Sequence, residues 1–314
     1  MPNLDLLLLK GPSSGNIAQS LDDLRYTILT TGVPANSDGM SELRIYIWLI
    51  LLNAPPIRTE IYLDLVRQGA SPAYAKIRND TFRTLATDPL FRRRVTENSL
   101  TRVLNAVAWK LHDAHEACVN GWMSPPTLSM HNGDFGGSPD VSLRSRSSLA
   151  GTVTEGSEAG TGAHETMVGY VQGMNVLAAP FLYAARSETE AFVAFERFIT
   201  REVPGYLSKH LLGKGMKAEI YAFASVLTMC ACTPPLPEVL LLWDFLLAYG
   251  SHLNILCIVA QLVLIRDQIL GSPSPNQVLR QLPPLQASKV SAIALTFVPK
   301  IPEDVYEQIV NHAK

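Results

Sequence analysis

Residues 96–118, TENSLTRVLNAVAWKLHDAHEAC, decide the fold class of this chain. Leu100, Val103, Leu104, Val107, Ala108 and Leu111 return at steps of three and four, which lays apolar side chains along one face of an α-helix. The same period runs outward from this stretch. Leu21, Leu24, Ile28 and Leu29 carry it through residues 17–31, behind a polar start and before a Gly32-Val33-Pro34 break. Residues 43–52 are apolar nearly all round and give way to Pro55-Pro56. Segments 60–67, 176–183, 189–200, 220–229, 237–249, 253–270 and 303–312 complete the predicted set. Alternation with period two never persists, so the sequence predicts an all-α fold of about a dozen helices with no sheet.

Composition sets the limits around that core. Of 314 residues, 26 are Lys or Arg and 28 are Asp or Glu, which excludes a generally basic nucleic-acid binder. No run reaches the ~18 apolar residues of a membrane span. The longest candidate, residues 253–265, holds Asn254 and Gln261. Asp5, rather than a basic stretch, precedes Leu6–Leu9, so no signal peptide is expected there. Cys118, Cys230, Cys232 and Cys257 lack zinc-ligand spacing and are expected to be buried thiols in a reducing compartment, placing the chain in the cytoplasm.

One tract breaks the helical pattern. Residues 120–165 hold 8 Gly, 8 Ser, 4 Thr and 3 Pro, half the segment, and cannot bury enough apolar area to offset ordering entropy. We expect a disordered insertion inside one domain, because helical sequence flanks it and neither flank looks complete. Arg144-Ser-Arg-Ser-Ser148 within it reads as a kinase target or as chance in a Ser-rich tract. Removing the tract leaves the charged share of the rest near the 17% of the whole chain, so the helical body is itself charge-poor. That predicts apolar surface awaiting cover.

Three short constellations could carry chemistry. In Ile77-Arg-Asn-Asp80-Thr-Phe-Arg83-Thr84, a carboxylate stands three residues before a guanidinium, so one helical turn lets the first hold the second. Alone, this is a surface ion pair, but its density of polar groups and lack of an apolar face point to an exposed working loop. In Gly169-Tyr170-Val-Gln172-Gly173-Met-Asn175, Gln172 can both donate and accept, which suits it to orienting a water. Gly173 permits close backbone approach or an unusual φ. Arg44-x-x-x-Trp48 and Leu240-Leu-Leu-Trp243-Asp244-Phe245 lie in helices so apolar that core packing and a buried ion pair are expected. Phosphate-loop, nucleophile-elbow and metalloprotease patterns are absent.

Taken in order, Ile-x-x-Asp-x-x-Arg-Thr, Tyr-x-Gln-Gly-Met-Asn, and the bracketing Arg-x-x-x-Trp and Trp-Asp-Phe resemble the TBC domain, the Rab-type GTPase-activating fold, over about residues 20–270. Residues 76–80, 170–175, 243–245, 248–250 and 300–302 are similar to the subgroup of fungal mitotic-exit, spindle-position checkpoint activators. The resemblance implies a two-lobed helical domain over 17–270, after an N-terminal segment 1–16 and before a helical extension 271–314. It implies a GTPase activator rather than an enzyme in its own right. Arg83 would be a catalytic arginine finger and Gln172 a second finger placing the attacking water. Asp80 and Thr84 would hold the arginine loop, Tyr170 and Asn175 would brace the glutamine loop, and Arg44, Trp48, Trp243 and Asp244 would be scaffold. The implied partners are a Rab- or Ran-like GTPase, which brings GTP and Mg²⁺, and a scaffold subunit at the spindle pole body. No cofactor of the chain's own and no nucleic acid are implied.

Two departures from that family pattern matter. The 120–165 tract intervenes before the Tyr-x-Gln loop, where the family has a short turn. Between Leu212 and Lys217 only Gly213–Met216 stands where the family carries about thirty more residues, roughly two helices. Losing core-facing helices would uncover several hundred Å² at ~25 cal/mol/Å². A second reading therefore stands beside the first: a non-catalytic helical module that binds a GTPase or a scaffold. A helical repeat scaffold is disfavoured, since no internal period of 30–45 residues occurs.

Overall fold

The computed structural model describes residues 16–56, 58–119, 169–202, 219–272 and 282–312, together with Leu4, Leu8, Val278 and Leu279. The 120–165 tract and the 213–216 junction lie outside the described residues. Within them the chain is helical and without strands, as the periodicity predicts.

Helices α1 (Ile17–Thr30), α2 (Arg44–Leu51), α3 (Thr59–Arg67), α4 (Tyr74–Thr81), α5 (Pro89–Arg94) and α6 (Glu97–Val119) precede the tract. After it come α7 (Met174–Ala184), α8 (Glu188–Arg197), α9 (Glu219–Leu227), α10 (Leu236–Tyr249), α11 (Asn254–Leu264), α12 (Arg266–Gly271), α13 (Ala287–Phe297) and α14 (Glu303–His312). Local chemistry sets several boundaries. Asp88 caps α5 by accepting from the amides of Leu90 and Phe91 at 2.9 Å, and Pro89 takes the first helical position, where a missing N–H costs nothing. Ser187 caps α8, with Glu188 and Glu190 in its positive first turn and Arg197 in its last.

Two groups of helices meet along α10. In the first, α6 packs on α3, α4, α7 and α8, while α2 lies against α8. In the second, α11 packs on α9 and α13, and α1 leans on α10. α10 touches α1, α2, α7 and α13, and so joins the two lobes. An aromatic cluster fills the joint. The Trp243 ring lies 5.2 Å from Phe181, 5.5 Å from Phe198 and 5.8 Å from Trp48, centroid to centroid. These separations suit tilted and edge-on aromatic pairs.

Beside that cluster Arg44 and Asp244 form the expected buried pair. Arg44 Nε and Nη2 donate to the two Asp244 oxygens at 3.0 Å each, and Nη1 donates to the Gly39 carbonyl. Trp48 Nε1 adds a 2.8 Å bond to the same carboxylate. Burial pushes the Asp244 carboxyl up from its ordinary range, against the pull of the guanidinium and the indole. Gly39 has φ +74° and a Cβ there would meet Pro237 Cα at 2.8 Å, so only glycine brings this carbonyl to the guanidinium.

Several expectations need correction. The 253–270 run divides at Ile265, which leaves helical geometry at φ −106°, ψ 12°. α13 carried no clear apolar stripe in sequence because its buried side includes the small residues Ala287 and Ala294 beside Val290. It packs on α10 and α11, so residues beyond 270 build the same core. Of the thiols, Cys230 and Cys257 are buried, but Cys232 is exposed at the end of a tight turn. Cys118 has its side chain outside the described residues. Val259, Val263 and Leu264 of α11 stand exposed on a charge-poor surface.

Candidate functional site

Helix α4 carries the first motif, and its polar composition conceals a buried face. Ile77 is fully buried, and Asp80, Thr81 and Thr84 follow it inward at helical spacing. The exposed working loop read from the sequence is therefore corrected: the segment is a helix whose inner face is largely polar. Small side chains with partners can line a core as hydrocarbons do, provided each donor and acceptor is met. Thr101 of α6 donates to Thr81 Oγ1 at 3.2 Å, tying α4 down. The helix ends at Thr81, and Leu85, with φ +45°, turns the chain away. Arg83 emerges between them with its side chain 55% exposed, while Asp80 retains 8%.

The second motif forms the start of α7. Gly173 has φ +104°, a conformation L side chains rarely adopt, and serves as the residue before the helix. Its amide donates to Asn175 Oδ1 at 3.1 Å, and the Val171 amide donates to Met174 Sδ at 3.2 Å. Tyr170, Met174 and Asn175 are buried, and Gln172 points outward between them, exposed.

Hydrogen bonds lock the two motifs together across 90 residues of sequence. The Tyr170 hydroxyl donates to Asp80 Oδ2 at 2.9 Å, and Asp80 Oδ1 accepts from Arg83 Nη2. Asn175 Nδ2 donates to Thr84 Oγ1 at 2.8 Å, and that hydroxyl donates onward to the Asp80 carbonyl at 2.9 Å. Burial, reinforced by the Asp80 carboxylate, pushes the Tyr170 phenol above its ordinary value and keeps it a donor. Asp80 is thus the hinge of the arrangement: its side chain holds arginine and tyrosine, and its carbonyl holds threonine.

An open cleft of about 400 Å³ lies over this network, lined by Arg83, Thr84, Thr87, Gln172, Gly173, Val176 and Cys232 among others. Of the six residues singled out in the two motifs, Asp80, Thr84, Tyr170 and Asn175 form its hydrogen-bonded floor. Arg83 and Gln172 reach solvent at its mouth. Arg44, Trp48, Trp243 and Asp244 sit apart, in the joint between lobes. Sequence reasoning missed Cys232. Its signal was the Thr233-Pro234-Pro235 breaker just after it, which marks residues 229–233 as a turn rather than core. Chemically, the cleft offers a guanidinium with unused donors and a carboxamide that donates and accepts, suited to an anionic oxygen and a water brought from outside. Among the described residues no group of three or more His, Cys, Asp or Glu side chains could hold a metal ion. No helix among them is long and apolar enough to cross a membrane.

Known proteins bear on this geometry. The profile of the Rab-GTPase-TBC domain matches residues 163–206 and 201–270. Cell division control protein 16 of Schizosaccharomyces pombe is 36% identical over 341 aligned positions, covering 100% of this chain and 96% of the relative. Mitotic check point protein BUB2 of Saccharomyces cerevisiae is 34% identical over 322 positions, 93% of this chain and 92% of its own length. The crystal structure of the Chlamydomonas flagellar RabGAP TBC domain superposes with a TM-score of 0.58 at 17% identity, over 94% of this chain and 90% of that one, which supports the fold. With a relative this similar along the whole chain, and with the two-motif cleft in place, the chain belongs to the Rab-GTPase-TBC domain family.

Proposed function

We propose that the chain is a GTPase-activating protein that acts in trans on a Rab- or Ran-like small GTPase. Such GTPases hydrolyse slowly because the attacking water and a cation for the loose phosphoryl transition state are poorly placed. Arg83 would supply that cation, its planar fork meeting two phosphoryl oxygens where Lys would offer a point charge. Gln172 would place the water. Asp80, Thr84, Tyr170 and Asn175 would hold both, and GTP with Mg²⁺ would arrive bound to the partner. The observation that carries this reading is the hydrogen-bonded floor, which presents Arg83 and Gln172 to one cleft from opposite sides of a long intervening tract.

The relatives' names, a cell division control protein and a mitotic check point protein, support a role in restraining mitotic exit and septation. The resemblance to that subgroup extends the proposal to a scaffold subunit and to a place at the spindle pole body. A specific observation favours the second, non-catalytic reading. An alignment of 341 positions on a chain of 314 residues requires gaps in this chain, and helices lost at the short 213–216 junction would leave a body that binds more readily than it catalyses.

Single-turnover hydrolysis by GTP-loaded Rab-type GTPases separates the two. Acceleration that is lost in Arg83→Ala and in Gln172→Ala supports the two-finger activator. Binding without acceleration, unchanged by either substitution, supports the module.

A further inference from the structure

The outer face of α4 carries the next step. Where Ile77, Asp80, Thr81 and Thr84 turn inward, Ala75, Arg78, Asn79 and Phe82 turn outward, all exposed at helical spacing. Phe82 is 65% exposed, a large aromatic left in water directly before Arg83. Arg78 stands one turn earlier on the same side and has no ion pair among the described residues. Elsewhere exposed cations are commonly paired: Arg25 with Asp22, Arg67 with Asp64, Lys110 with Glu196 and Arg186 with Glu42. Here both carboxylates of the segment are engaged, Asp80 with Arg83 and Tyr170, Asp88 as the cap of α5.

Reach decides what must meet this face. Adjacent Cα atoms are about 3.8 Å apart, and an arginine side chain extends roughly twice that distance. If Arg83 enters the nucleotide site of a partner, Phe82 cannot avoid the partner's surface, and Arg78 lies about 5–6 Å further along the helix. Burying a guanidinium without a counter-charge is strongly unfavourable, and a buried aromatic beside an arginine is the usual make-up of an interface anchor.

Resting on the activator reading above, we propose that Phe82 and Arg78 form the docking anchor that selects the GTPase. Phe82 enters an apolar depression beside the partner's phosphate site, and Arg78 meets a carboxylate on its rim. The partner's surface chemistry is thereby specified: an acidic residue about one helical turn from an apolar pocket that borders the nucleotide.

The test measures single-turnover GTP hydrolysis by the Rab-type GTPase on which the wild-type chain acts, as a function of chain concentration, for wild type, Phe82→Ala, Phe82→Leu, Arg78→Glu and Arg83→Ala. Loss of acceleration in Arg83→Ala establishes the activator reading independently. The anchor then predicts that Phe82→Ala and Arg78→Glu each raise the half-saturating concentration by about tenfold or more, with the saturating rate within about twofold of wild type. Phe82→Leu recovers part of the loss, and Arg78→Glu flattens the salt dependence of association. Unchanged half-saturation in both variants overturns the anchor. So does a fall in saturating rate alone, which would make Phe82 a support for Arg83. An Arg83→Ala variant as active as wild type would instead overturn the activator reading.

Discussion

Two arginine–aspartate pairs in this molecule have the same chemistry and opposite fates. Arg44 and Asp244 come from helices 200 residues apart and are buried, with side chains 1% and 3% exposed. Every nitrogen of the Arg44 guanidinium donates, and the carboxylate also takes the Trp48 indole. Arg83 and Asp80 are three residues apart, and Arg83 spends one nitrogen on Asp80 while the rest of its fork faces the cleft. A guanidinium whose three nitrogens all bond inside a closed core has none turned towards a ligand. A held but unsaturated one is oriented and still has donors to give. The difference in satisfaction, more than in burial, separates scaffold from candidate site.

Exchanging the readouts is the most direct way to break that contrast. Arg83→Ala should lower stimulated GTP hydrolysis by about 10³–10⁵ while stability falls by only about 1 kcal/mol, since Arg83 is half exposed and the buried Asp80 keeps its Tyr170 hydrogen bond. Arg83→Lys should recover little of the rate, because a point charge replaces the fork. Arg44→Ala should do the reverse, costing about 3–5 kcal/mol in a urea titration by leaving Asp244 charged and unpaired in the core. A stable Arg44→Ala protein, or an Arg83→Ala protein that keeps full activity, would dissolve the comparison.

The next effect is smaller and sharpens how the unsaturated arginine is held. Thr84 Oγ1 takes the Asn175 amide and gives to the Asp80 carbonyl. Thr84→Val keeps the shape and removes both bonds, stranding two buried polar groups at about 1–3 kcal/mol. Melting temperature and hydrolysis rate should fall together, and Thr84→Ser, which retains the hydroxyl, should restore most of both. A rate that survives Thr84→Val intact would mean that Arg83 needs no such support.

How far the sequence foretold these regions follows the same division. The stripe of α6 and the apolar α10 were legible because hydrocarbon burial leaves a periodic trace, and Arg44 and Asp244 were readable as a buried pair from their apolar surroundings. The inner face of α4 was not, because Asp80 and Thr84 look like surface residues until Tyr170 and Asn175 arrive from 90 residues away to satisfy them, as Thr101 of α6 does for Thr81. Ala287 and Ala294 hid α13 similarly, since small residues carry little periodic signal. The two motifs could be found as strings, and the resemblance could pair them. Only the three-dimensional network tells which of their members form the floor and which face the cleft.

A third pair lies between the two extremes and supplies the mildest test. Arg102 donates to Glu188 with side chains 44% and 27% exposed, and Tyr62 adds a 2.7 Å hydrogen bond to the same carboxylate. Partial burial pushes the Glu188 carboxyl up, but the hydrogen bonds from Arg102 and Tyr62, with the charge of Arg102, outweigh it and hold it below the usual range. A carboxyl depressed in the folded state stabilises the fold above its unfolded value of about 4.3 and loses that contribution as pH falls through the folded value. Wild type should therefore lose urea resistance between about pH 5 and 3 more steeply than Glu188→Gln, whose amide does not titrate. Solvent screens this half-exposed pair, so the difference in slope should be the smallest effect predicted here. Identical slopes would place Arg102–Glu188 with the ordinary surface pairs and leave satisfaction, not exposure, as the property that distinguishes the other two.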